Sequence, residues 1–204
     1  IAVGPVHAGV IEPGHFRFST AGEPILNLEL RLGYVHRGVE KALEGCPLGR
    51  ALRLIERVSG DNGVAHGLAF CQVVEMGNPV PDRAQLLRCI YAEMERIYNH
   101  LGDIGGMATD VAFAVPAAEA AVLRERMLRW NASLTGHRLL WGSIAVGGVS
   151  RDLDEEKCNA LESHMVDLGL ELEPLVDSMM GSPSFLDRVE TTGVLTLPIA
   201  KELR

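Results

Sequence analysis

Pro81-Asp82-Arg83-Ala84-Gln85-Leu86-Leu87-Arg88-Cys89-Ile90-Tyr91-Ala92-Glu93-Met94 opens the stretch that decides the fold. Asp82 followed by Gln85, just after Pro81, is a capping-box pattern and predicts a helix start. Leu86, Cys89, Ile90, Met94, Ile97, Leu101 and Ile104 then recur at spacings of three and four, which is one apolar face of a long helix. Arg88, Glu95 and Asn99 fall on the opposite face, which reads as its polar side.

Outward from this helix the same period continues in both directions. Leu48, Leu52 and Ile55 predict a helix leading to a turn at Ser59–Asn62, and Ala65, Leu68, Ala69, Gln72 and Val73 predict the next, closed by Gly77-Asn78-Pro79. Downstream, a helix starts near Pro116, runs through Leu123, Met127, Trp130 and Leu134, continues or restarts to Trp141, and breaks at Gly147-Gly148. Asp152 with Glu155 predicts the cap of a last long helix, whose apolar side is Leu161, Met165, Leu168, Leu172, Leu175 and Met179. Gly181-Ser182-Pro183 ends it. Ahead of all the helices, Phe16 and Phe18, then Ile25, Leu26, Leu28, Leu30 and Leu32, flank the turn signal Ala21-Gly22-Glu23-Pro24 and predict a β-hairpin. The expected fold is mainly α: a helical bundle over 37–182 with a small β appendage over 1–36. The chain reads as cut at both ends, with 183–204 as a truncated C-terminal segment of a longer subunit.

Composition sets bounds on function. At 204 residues, 47% of them hydrophobic, the chain can hold one good core. A net charge of −8 argues against non-specific nucleic-acid binding. No uninterrupted apolar run reaches the roughly 18 residues that a membrane span needs. Four irregularly spaced cysteines, Cys46, Cys71, Cys89 and Cys158, with no Cys-x-x-Cys and no signal-peptide pattern, read as free thiols in a reducing, cytoplasmic setting. Gly102-Asp103-Ile104-Gly105-Gly106 is Gly-rich but ends a helix, so it does not read as a phosphate cradle.

The motif with most chemistry in it is Arg37-Gly38-Val39-Glu40, then sixteen residues, then Arg57-Val58-Ser59-Gly60-Asp61-Asn62. Cysteines at 59 and 62 would supply two thiolates on a tight turn, the donors that nickel or iron–sulfur chemistry takes. A hydroxyl and a carboxamide stand there instead, and these are poor ligands for a soft metal. No metal ligand is assigned.

This frame resembles the large subunit of nickel–iron hydrogenases and its relative, the quinone-site large subunit of respiratory complex I. The resemblance runs through Gly4-Pro5-Val6-His7, Glu12-Pro13-Gly14-His15-Phe16-Arg17, Val35-His36-Arg37-Gly38-Val39-Glu40-Lys41 and Glu56-Arg57-Val58-Ser59-Gly60. It continues at His66, Val80-Pro81-Asp82-Arg83-Ala84-Gln85, Asn99-His100-Leu101 and Gly147-Gly148-Val149-Ser150-Arg151-Asp152-Leu153. The Glu-Pro-Gly-His-Phe-Arg segment is most similar to energy-converting hydrogenases of the formate hydrogenlyase type. The missing cysteines are more similar to the complex I branch.

The resemblance implies roles. Glu40 corresponds to a glutamate that moves protons from the hydrogenase metal; the plainer reading is a helix-N-terminal carboxylate stabilised by the dipole. Arg57 and His100 match residues near a terminal iron–sulfur cluster held by a neighbouring subunit, where a cation raises the potential and a histidine couples electron to proton. Their plainer readings are an ion pair of Arg57 with Glu56 or Glu40, and a solvated His100. His7 or His15, with Asp110, would deliver protons to a quinone headgroup; the alternative is hydrogen bonding within the hairpin. The tyrosine that helps hold quinone in complex I aligns with Gly60, which has no hydroxyl. His66, with Ser59, Asp61 and Asn62, is expected in a polar cluster where the metal would lie. Trp130 and Trp141 read as core or interface anchors.

The expected function is a subunit of the peripheral arm of a membrane-associated oxidoreductase, on the cytoplasmic side of the inner membrane, that couples electron transfer to quinone or proton chemistry. The alternatives are a catalytically dead scaffold and, last, an active hydrogenase. Expected partners are an iron–sulfur subunit, membrane-arm subunits and a small complex I-type peripheral subunit. Quinone is the candidate ligand, with NAD used only by the whole complex.

Overall fold

The structure is a computed structural model that describes residues 1–7 and 12–203. The sheet is larger than the hairpin expected: β1 (Ala2–Val3), β2 (His15–Thr20) and β3 (Ile25–Arg31) form an antiparallel sheet in the order β1-β2-β3. Phe16 pairs with Leu30 and Phe18 with Leu28, so the predicted turn at 21–24 is kept, with a register irregularity at Ser19/Thr20. Every residue of β3 is exposed.

The helices are α1 (Val39–Leu43), α2 (Leu48–Ile55), α3 (Gly63–Val74), α4 (Asp82–Asp110), α5 (Ala114–Thr135), α6 (Glu155–Met180), α7 (Pro183–Val189) and α8 (Leu197–Glu202). A 3-10 turn over Gly60–Asn62 leads into α3, and a small hairpin of β4 (Ile144–Ala145) and β5 (Gly148–Val149) sits between α5 and α6. The core lies within the helices. Tyr91, Met94, Tyr98 and Leu101 of α4 pack in one cluster with Leu123, Met127 and Leu128 of α5 and Leu161, Leu168, Leu175 and Met179 of α6. The α6 face is the one its sequence period marked.

Three expectations are corrected. The buried face of α4 is rotated from the predicted one. Leu86 is 66% exposed and Cys89 is exposed, while Arg88 and Glu95 are buried at 4% and 3%. The period located a helix, but both flanks of its stripe meet neighbours, and the two charged residues find partners inside. Gln85 and Asp82 form no capping box. Pro81 is the N-cap, and the Gln85 amide donates to the Val80 carbonyl at 2.9 Å. At α6 the cap is Asp154, which accepts from the Lys157 N–H; Asp152 instead accepts hydrogen bonds from the Arg83 guanidinium.

The third concerns the region after α5. The helix stops at Thr135, because Gly136 takes φ 87°, a left-handed C-cap that glycine adopts without strain. Residues 137–147 are then free to form a loop and hairpin. That hairpin is pinned by a buried ion pair: Arg88 donates to both Glu75 oxygens at 2.8 and 2.6 Å, to the Ala145 carbonyl at 2.7 Å and to the Gly148 carbonyl at 2.9 Å. Residues 183–204 carry α7 and α8, and Phe185 is buried in the core.

Candidate functional site: a cradle without sulfur

The two halves of the Arg37…Asn62 motif meet in space. Arg37 reaches across to the segment after α2 and donates through Nη2 to the Arg57 carbonyl at 2.8 Å and the Val58 carbonyl at 2.6 Å. A guanidinium is suited to this because its donors form a rigid fork. The next residues turn through Gly60–Asn62 into α3.

α4 holds this turn from the other side. Glu95 accepts the N–H groups of Val64 and Ala65 at 2.7 and 2.8 Å. These belong to the first turn of α3, which has no side-chain cap of its own and would otherwise leave buried donors unpaired. Burial pushes the Glu95 carboxyl above its ordinary range, while the two N–H groups pull it back. One turn along, the Tyr98 hydroxyl donates to the Asp61 carbonyl at 2.6 Å. Asn99 donates to the same carbonyl at 3.0 Å and to the Asn62 side chain at 3.1 Å. Asn62 in turn donates to the Ser59 hydroxyl at 3.1 Å.

Ser59 and Asn62 therefore satisfy each other. Their donors are oxygen and amide groups already committed to one another and to Asn99, and this set does not fit nickel, which takes thiolates here. Among the described residues no group of three or more His, Cys, Asp and Glu side chains converges as metal ligands would.

A third wall comes from the loop after α5. The Trp141 indole N–H donates to the Gly60 carbonyl at 3.0 Å. The Arg57 guanidinium lies 4.8 Å from the centre of the Trp141 ring, and Arg57 Nη1 donates to the Arg53 carbonyl at 2.7 Å. His137 stacks on the same indole, 4.8 Å between centroids and 12° from parallel. Burial first, and the Arg57 charge second, lower the His137 pKa, so its ring favours the neutral form. The Gly142 N–H donates to Glu56 at 2.8 Å, and burial raises the Glu56 carboxyl above its ordinary range. An open cavity of about 590 Å³ lies beside this wall, between Asp61, Arg124, His137, Arg138 and Trp141.

The sequence-predicted residues fall into two groups. Arg57 is in the cradle, and its carbonyl is the one Arg37 grips; among the described residues it forms no ion pair with Glu56 or Glu40, and it stacks on Trp141 instead. His100 is exposed on α4, one position beyond Asn99. Glu40 is exposed in the first turn of α1. His66 is half-buried on α3, and among the described residues no hydrogen bond joins it to Ser59, Asp61 or Asn62, so the expected four-residue cluster forms with Asn99 in its place.

The histidines of the sheet are elsewhere. His7 bonds to the Gly14 carbonyl at 2.6 Å and meets Phe16 edge-on; His15 reaches the Gly4 carbonyl at 3.5 Å. Asp110 is exposed at the last residue of α4, and among the described residues no hydrogen bond joins it to either histidine. The His7–His15 connection, whose length bears on which histidine matches the quinone ligand, lies partly outside the described residues.

Sequence reading missed Glu95, Tyr98 and the placement of Trp141. A glutamate at the right helical offset from Arg88 looks solvated unless its partner, thirty-one residues earlier, is known. The tryptophan carried a signal, having been read as an anchor, but not one that named its partner.

Known proteins share both the sequence and the fold. The family described as "Respiratory-chain NADH dehydrogenase, 49 Kd subunit" matches residues 103–203. Hydrogenase-4 component G of Escherichia coli is 34% identical over all of this chain, which covers 37% of that protein. Formate hydrogenlyase subunit 5 of the same organism is 34% identical over 99% of the chain and 36% of its own length. A subunit of the NADH-quinone oxidoreductase of Clostridium beijerinckii is 31% identical over 95% of the chain and 53% of its own length. The chain thus spans between about a third and a little over half the length of these relatives. A solved chain from the membrane-bound sulfane sulfur reductase, an archaeal respiratory membrane complex, shares the fold, with a TM-score of 0.88 over 96% of this chain and 53% of its own length at 24% identity. Sequence likeness along the whole chain points one way: the chain is similar both to the large subunits of membrane-bound hydrogenases and to the 49 kDa subunit of respiratory NADH dehydrogenase.

Proposed function

We propose that this chain forms the cluster-facing wall of a membrane-associated oxidoreductase, and that it couples electron transfer from a neighbouring iron–sulfur subunit to quinone or proton chemistry. The observation that supports this is the cradle: Arg37 still grips the Arg57 and Val58 carbonyls, although serine and asparagine occupy the positions of the sulfur donors. In this reading Arg57 is the cation near the cluster and His100 is the group that takes up a proton when the cluster is reduced. Glu40, at the start of α1, passes protons on. Asp110 and the sheet histidines His7 and His15 serve a quinone brought to the subunit. Among the described residues no helix is long and apolar enough to cross a membrane. In this reading the chain is peripheral, on the cytoplasmic face, held by membrane-arm subunits and a small peripheral subunit of the complex I type. NAD, where used, is handled elsewhere in the complex.

The test is a pH series of redox titrations on the assembled complex. The wild-type cluster potential is expected to fall as pH rises, and His100→Ala is expected to flatten that slope. An unchanged slope together with wild-type turnover removes the proposal.

A second reading, a scaffold with no turnover of its own, draws support from the histidines' partners: His7 and His15 bond to backbone carbonyls, and among the described residues neither bonds to Asp110. On that reading Asp110→Asn and His100→Ala both leave turnover of the complex at the wild-type rate.

A further inference from the structure

Arg57 is exposed and yet held in place, by a backbone carbonyl and an aromatic ring instead of a carboxylate. A surface arginine normally spreads its charge over many rotamers, and holding it still costs that rotamer freedom. Here Arg37 holds its carbonyl, the Arg53 carbonyl takes its Nη1, and the Trp141 ring lies under its guanidinium. Tryptophan offers the strongest cation–π surface of the aromatic side chains. Trp141 is itself fixed from two directions. Its N–H bonds to Gly60, and its edge presses on Gly63, where a Cβ would stand only 2.7 Å from Cδ1 and 2.8 Å from Nε1. The absence of a side chain at Gly63, the first residue of α3, is therefore what allows the indole to lie flat against the cradle.

We propose that Trp141 is a positioning residue for electron transfer: it holds the Arg57 guanidinium at one fixed place on the cradle surface and so sets the potential that a docked redox centre feels. This rests on the reading of Arg57 as the cation that faces a neighbouring subunit's cluster. The physical link is Coulombic. A guanidinium held against the cradle keeps its charge on that surface, whereas a released side chain spreads it into water, where the interaction with a docked cluster is more strongly screened.

The experiment is an electron paramagnetic resonance titration of the cluster in the assembled complex, comparing wild type with W141L, W141F, G63A, R57M and the double variant R57M/W141L. R57M and W141L are both expected to shift the midpoint potential downward, and the double variant is expected to go no lower than R57M. W141F keeps an aromatic face and is expected to stay close to wild type. G63A leaves Arg57 and Trp141 chemically unchanged but sets a Cβ against the indole and 3.0 Å from the Glu56 carbonyl, and is expected to shift downward as W141L does. This variant also serves if W141L does not assemble. Wild-type potentials in W141L or G63A, with R57M shifted, overturn the role of Trp141 and leave the reading of Arg57 standing. A wild-type potential in R57M removes that reading and this inference together. A W141F shift as large as that of R57M also overturns the role, since the bond to Gly60 would then matter and the ring would not.

Discussion

The N-terminal sheet and the cradle are held together in opposite ways. The sheet is a local object, in which neighbouring strands pair through the backbone and its two histidines bond to carbonyls of residues 4 and 14. It contributes nothing to the buried core cluster, and Leu26, Leu28 and Leu30 lie exposed on β3. The cradle is assembled over long distances in sequence. Arg37, Glu95, Tyr98, Asn99 and Trp141 all place a side-chain donor or acceptor on backbone between residues 57 and 65. The lesson is that the sheet's form is set mainly by pairing between its own neighbouring strands, whereas the cradle's form depends on a helix and a loop far from it in sequence.

The most damaging change for this contrast lies outside both regions. Arg88→Met leaves Glu75 charged and buried and frees the β4–β5 hairpin that follows the Trp141 loop. A loss of about 3–5 kcal/mol in urea unfolding is expected, the range for breaking one side of a buried pair. Its pH dependence has a definite sign. The hydrogen bond from Arg88 holds the Glu75 carboxyl below its ordinary range. That stability is present above the carboxyl's unfolded pKa and is lost as pH falls through its lower folded value, and Glu75→Gln should abolish this acid-side loss. A smaller loss, about 2–3 kcal/mol, is expected for Glu95→Ala, which strands two N–H groups of α3. Amide hydrogen exchange at Val64 and Ala65 should speed up in that variant while the strands of the sheet exchange as before.

Glu56→Gln should act the other way. Burial raises the Glu56 carboxyl in the folded chain, so the cost to stability is full above that raised pKa, shrinks as pH falls below it, and is gone only below the carboxyl's unfolded pKa. Glutamine keeps an acceptor for the Gly142 N–H. The variant is expected to unfold at a higher temperature than wild type at neutral pH, with the gap closing in acid. The smallest effect belongs to the sheet: Leu28→Ser is expected to change unfolding free energy by no more than about 0.5 kcal/mol, as exposed positions do. A loss of several kcal/mol there would end the contrast.

Much of the fold was legible because its signals are periodic. The apolar spacing of α6 named its buried residues Leu161, Leu168, Leu175 and Met179, and Gly181-Ser182-Pro183 marked its end. The extra strand β1 was not, since two residues are too few to show an alternation. The inside of α4 was misread because tyrosines at 91 and 98 and charges at 88 and 95 are placed by partners distant in sequence. In the site, the meeting of residues 37 and 57 was what the resemblance of the two spaced segments to the hydrogenase and complex I large subunits implied, and Arg37 makes it by gripping the Arg57 carbonyl. The presence of Asn99 in the polar cluster, where His66 was expected, was not so implied. His66 lies one helical turn past Asn62, whereas Asn99 comes from another helix, thirty-seven residues on, and only the packing of α3 on α4 brings it to the cluster.

The close approach of Gly63 to Trp141 ties two remote positions into one inheritable unit. A methyl group at 63 and an indole at 141 compete for the same few cubic ångströms, so a lineage can enlarge one only after shrinking the other. Relatives that carry alanine or serine at the start of this helix are therefore expected to carry a smaller or non-aromatic residue at the loop position, and to steady the arginine by some other means.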